Sequence, residues 1–94
     1  MCLEMINTIE NSKRFNQILK LFSSIQSLNV EYSKLSIALD KETNDLKTLS
    51  AYLSGSTIYL YPAMILEQDD VTDDFLISII AHEIGHHMNE YDFD

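Results

Sequence analysis

The stretch "DDVTDDFLISIIAHEIGHHM", Asp69 to Met88, decides how this chain is expected to fold. Thr72 offers an N-cap oxygen, and Asp73 and Asp74 then fall in the first turn, where the positive end of a helix dipole favours carboxylates. From Phe75 to Ile84 the apolar side chains Phe75, Leu76, Ile77, Ile79, Ile80 and Ile84 cover nearly the whole circumference, which predicts a buried helix. Into that helix the sequence sets His82, Glu83, His86 and His87, among them every histidine of the protein. Residues four apart on a helix stand one above the other. His82 and His86 therefore present two imidazoles to one point.

Upstream of this helix the apolar period is two rather than 3.6. In "TIYLYP" Ile58 and Leu60 share one face while Thr57, Tyr59 and Tyr61 share the other, and Pro62 ends the strand or places it at a sheet edge. Ser54-Gly55-Ser56 is a tight-turn signal. "TLSAYLS" alternates through Leu49, Ala51 and Leu53, and "KLSIALD" through Leu35, Ile37 and Leu39, with polar "KETNDLK" between them. Three short strands joined by short turns predict an antiparallel meander. Residues 3 to 29 contain neither Gly nor Pro. Phe15, Ile18, Leu19, Phe22, Ile25 and Leu28 recur there at steps of three and four, the pattern of one amphipathic helix. The expectation is a single α+β domain over residues 1–94: an N-terminal amphipathic helix, a three-stranded antiparallel meander and a C-terminal buried helix carrying the site.

Composition bounds what such a domain can do. The chain has 94 residues and is 46% hydrophobic, enough for a modest core. No run approaches the roughly 18 apolar residues of a membrane span. Glu4 precedes any Lys or Arg, unlike the basic start of a secretory signal. Cys2 is the only cysteine, which excludes an internal disulfide and suits a reducing compartment; the expected location is cytoplasmic. Charge is unevenly placed. Up to Lys47 six basic and six acidic residues cancel, and from Thr48 onward there are nine acidic residues and no Lys or Arg. The whole net charge of −9 thus lies in the half with the histidines. Such a field disfavours direct binding to phosphate backbones and favours a metal ion or a basic partner surface. A solvated acidic face that keeps a small protein soluble explains the same asymmetry.

The local chemistry selects among these. Two imidazoles four residues apart suit a tetrahedral zinc ion, with Zn–N distances of roughly 2.0–2.1 Å. Glu83, beside the first ligand, is placed to act as general base on a water held at the metal. Burying a carboxylate costs several kcal/mol unless something compensates it, and no Lys or Arg lies nearby in sequence to neutralise Glu83. A metal with its water would answer that cost. His87, by contrast, reads as a core histidine. For stabilising an oxyanion the candidates are Tyr59, Tyr61 and Tyr91, with nothing in the sequence to orient any of them.

"AHEIGHHM" resembles the extended HExxH signature of the zincin metallopeptidases. Over about residues 56 to 88 the order of a "TIYLYP" strand, a short acidic linker and the histidine helix is most similar to the ImmA/IrrE family. That resemblance implies a cytosolic zinc peptidase, often carried by phages or mobile elements, that cleaves a protein substrate of the repressor type. It assigns His82 and His86 as ligands and Glu83 as the base, with the Thr57–Tyr61 strand lining the cleft and pairing with an extended substrate by strand addition. Zincins take a third ligand further downstream. Ten residues after His82 stands Asp92, the preferred third ligand, with Asn89 as the left-handed turn residue before it and Glu90 as the alternative; a frayed acidic tail explains these residues equally well. The competing reading is a catalytically inactive zincin-like module that binds a basic partner through its acidic face, for example a phage-encoded inhibitor of a basic host protein.

Overall fold

The computed structural model describes residues 1–67 and 69–88. In chain order it contains α1 (Leu3–Glu10), α2 (Lys13–Gln26), a 3-10 turn (Val30–Lys34), β1 (Ser36–Leu39), β2 (Ala51–Ser54), β3 (Thr57–Leu60), α3 (Ala63–Leu66) and α4 (Asp73–Met88). The class is α+β, as the change of apolar period from 3.6 to two and back requires.

The N-terminal region is two helices rather than one. Ser12 is extended, at φ −72° and ψ 153°, and its hydroxyl accepts a hydrogen bond from the Phe15 amide, making it the N-cap of α2. No Gly or Pro marks this break, because an N-cap serine interrupts a helix by satisfying a free amide of the next one. α2 then buries Phe15, Ile18 and Phe22, the face its spacing indicates.

The sheet is mixed, with strand order β1-β3-β2, and this corrects the expected antiparallel meander. β3 is antiparallel to β2 and parallel to β1. Gly55, at φ 63°, is the first of two residues between β2 and β3, a position where hairpin turns favour glycine. Residues 40–50 carry the chain from the end of β1 past β3 to the start of β2. Within that loop the Asp45 Oδ1 accepts from the Lys47 and Thr48 amides at 2.8 and 2.9 Å. β3 is therefore the central strand, not an edge. Its amides and carbonyls already serve two neighbours, so the Thr57–Tyr61 segment cannot receive a substrate by strand addition.

Ile58 and Leu60 are fully buried; Ile58 pairs with Ile37 and Leu53, and Leu60 with Leu39 and Ala51. All helices contribute to the core on this face of the sheet, with Ile9, Ile18, Met64, Leu76 and Ile80 in one cluster with Ile58 and Leu60. The four-residue α3 follows directly on Pro62 and buries Ala63, Met64 and Ile65. It is too short to show a helical period in the sequence.

α4 starts where Thr72 predicts: the Thr72 hydroxyl accepts from the Phe75 amide at 3.1 Å. It is half-buried rather than enclosed, a second correction. Leu76, Ile80, Glu83 and Ile84 face inward, while Ile77 and Met88 are 39% and 43% exposed. With isoleucines on every side, the sequence does not say which stripe the core takes. A buried cation also seats the helix. Arg14 of α2 donates from Nη2 to the Val71 carbonyl at 2.7 Å and from Nη1 to Asp73 at 3.5 Å. Replacing Arg14 with Leu leaves the buried Val71 carbonyl without this donor. It is expected to cost about 1–3 kcal/mol, read as a lower urea midpoint at unchanged m-value; an unchanged midpoint would show that the clamp is not needed.

Candidate metal centre on α4

The register that buries Leu76 and Ile80 carries Glu83 inward one turn later, to 3% exposure. One residue earlier, His82 turns outward and is exposed; His86, a turn further on, is half-buried. The result is a carboxylate rooted in the core beside two imidazoles at the surface. The two Nε2 atoms lie 3.1 Å apart, with the ring planes at 85° and centroids 4.5 Å apart. Taking one ligand atom from each of His82, Glu83 and His86, all three lie within 4.8 Å of one another.

This arrangement has two chemical uses. One Nε2–H can donate to the other Nε2 when the rings hold opposite tautomers. Alternatively both lone pairs can face one cation. Two nitrogens held at about 2.0–2.1 Å from a tetrahedral ion lie about 3.3–3.4 Å apart. The observed separation is within a few tenths of an ångström of that value, so the donor set fits zinc with small side-chain adjustments. Among the described residues, His82, Glu83 and His86 are the one such donor group. Asp92 and Glu90, the expected third ligands, lie outside the described residues, as do Asn89 and Tyr91.

The strands place the other expected residues elsewhere. Tyr59 and Tyr61 do not share the helical side of the sheet. Tyr59 is the cross-strand partner of Tyr52 and stacks on its ring at 5.3 Å, and Tyr61 meets the same ring edge-on at 6.3 Å. Alternation along β3 puts Tyr59 opposite Ile58 and Leu60, so it faces away from α4. Burial pushes the Tyr52 phenol up to about 12, and a hydrogen bond to Asp40 with its negative charge adds to the shift. No local spacing in the sequence singles out Tyr52 and Asp40, because the loop between them hides that they meet. α4 packs against β2, which is hydrogen-bonded to β3 on one side and forms one edge of the sheet.

No family model matches this sequence, and neither curated proteins nor solved structures show a detectable likeness to it.

Proposed function

We propose that the chain is a zinc-dependent peptidase of the HExxH type, similar to the ImmA/IrrE family, that cleaves a protein or peptide substrate. The convergence of the His82 and His86 Nε2 atoms to 3.1 Å beside the buried Glu83 carboxylate carries this reading. In it His82 and His86 would hold the metal with Asp92 as the third protein ligand, and Glu83 would take the proton from the attacking water and deliver it to the leaving amine. Zinc, when bound, supplies Lewis acidity and lowers the pKa of its water towards about 7. Fixing Glu83 on the core side of the helix limits its rotamers, so the base needs little reorganisation before proton transfer. The substrate path differs from the one the resemblance implies. With β3 enclosed, the strand edge beside α4 belongs to β2, and an extended peptide would pair there. The acidic half favours basic substrates. Among the described residues no helix is long and apolar enough to cross a membrane, and a cytoplasmic protein without direct nucleic-acid contacts is part of the same reading.

The deciding measurement is the zinc-to-protein ratio after dialysis against metal-free buffer. A ratio near one that is lost in His82→Ala and in His86→Ala, with the fold intact by circular dichroism, is the expected result. A ratio near zero in the unaltered chain would overturn the peptidase reading.

A second reading, an inactive acidic module that binds a basic protein, is favoured by the exposure of Asp69, Asp70, Asp73 and Asp74 around the start of α4. In that case metal loading is irrelevant, and charge reversal at those four positions weakens association with the partner.

A further inference from the structure

The sheet has a second surface, opposite the helices, and it is not flat. A groove of about 460 Å³ opens there, lined by β-strand residues and by the first residues of the loop after β1, with no helical residue among them. One wall is aromatic: Tyr52 and Tyr59, stacked with their planes 23° apart. Tyr52 is 36% exposed. Beside them the lining is acidic, with Asp40, which the Tyr52 hydroxyl reaches by a hydrogen bond, and Glu42. Asp40 is 7% exposed, and its Oδ1 accepts from the Glu42 and Thr43 amides at 3.0 and 3.4 Å. That fixes the carboxylate at the end of β1 instead of leaving it mobile in solvent. The lysine on the rim, Lys41, lies with its Nζ 3.3 Å from Glu10 Oε2, so its charge is engaged by α1.

We propose that this groove binds the guanidinium of an arginine side chain presented by a basic protein partner. A tyrosine ring beside one fixed carboxylate, Asp40, and a second, exposed one at Glu42 matches a planar cation, which stacks on the ring while its N–H groups reach the acids. A lysine ammonium has the charge but not the plane, and a neutral side chain has no counterpart for Asp40 and Glu42. The volume exceeds what one guanidinium fills and leaves room for the aliphatic stem and part of a neighbouring residue. Asp40 and Glu42 outnumber Lys41 in the lining, so the groove itself attracts a cation. Tyr52, held as a neutral phenol far above physiological pH, keeps its ring and its link to Asp40 intact in use. The site is independent of the metal reading, because it opens on the face of the sheet away from α4.

The test titrates the full chain with N-acetyl-arginine methylamide at physiological ionic strength and follows the backbone amides by NMR. The expected result is saturable shifts confined to residues 38–42, 52, 54 and 59, with weaker binding of the lysine counterpart and none of the uncharged citrulline counterpart. Tyr52→Leu should weaken the arginine probe roughly 5- to 10-fold. Glu42→Gln, at an exposed loop position that the fold does not need, should weaken it about 2-fold. The assignment is overturned by an absence of saturable shifts in the groove, by equal binding of citrulline, by lysine binding as tightly as arginine, or by shifts that gather at Asp69–Asp74 instead. Metal content plays no part in the readout, so failure here leaves the peptidase reading untouched.

Discussion

Glu83→Gln is expected to remove peptide hydrolysis, by about 10²- to 10⁴-fold, while zinc stays bound at the level of the unaltered chain. Gln has nearly the same shape as Glu, so at a site only 3% exposed it keeps the packing against the inward stripe of α4. It removes the negative charge and the basicity while keeping a hydrogen-bonding group of similar size. The comparison uses a fluorogenic basic peptide, the metal ratio and a thermal melt on the same preparation. Full activity in the Gln variant would place the base elsewhere. Loss of both activity and zinc would make Glu83 a ligand, which the placing of its carboxylate within 4.8 Å of a ring nitrogen of each histidine allows geometrically. Glu83→Ala is the less informative change, because it opens a cavity under the histidines as well as removing the acid.

Ile80→Ala is expected to be strongly destabilising, at about 2–5 kcal/mol. Ile80 is fully buried, in one cluster with Ile58 and Leu60 of β3 and Phe15 of α2. The whole stability of a small domain is about 5–15 kcal/mol, so a large share would go with one side chain. Urea unfolding reads this directly. On the proposed zinc reading, added zinc should partly restore the midpoint, since a ligand bound only to the folded state stabilises it by mass action. A cost below about 1 kcal/mol, of the size of a surface change, would mean that α4 does not seat this stripe on the sheet.

What the sequence made legible here is what local spacing controls. Thr72 caps α4 because a cap involves residues three apart, and His82 and His86 converge because one helical turn brings them together. Leu35, Ile37 and Leu39, like Ile58 and Leu60, alternate as strands do. The errors lie where distant segments decide. β1 pairs with β3 only because residues 40–50 carry the chain past β3, and nothing in "KETNDLK" distinguishes that route from a hairpin turn. The inward face of α4 is set by Arg14 and by the sheet, not by its own nearly uniform apolar surface. Ser12 splits the N-terminal region without the Gly or Pro that usually announces a break. Tyr52 and Asp40 are ordinary residues until the mixed sheet sets them side by side.

The strand order also determines when the sheet can exist. β1 leaves the ribosome before both of its companions, yet its only neighbour, β3, is the last strand to be made. Until Thr57–Leu60 appears, Ile37 and Leu39 have no sheet to join and β2 has no hairpin mate. Once β3 is present, the short Gly55 turn lets β2 and β3 zip first, and β1 can then dock along the far side of β3 at the higher entropic cost of closing a longer loop. Loop-closure cost therefore favours sheet assembly that starts at the β2–β3 hairpin and ends with β1. The core of α1 and α2 is complete only with β3, since Ile9, Phe15, Ile18 and Phe22 share one cluster with Ile58 and Leu60.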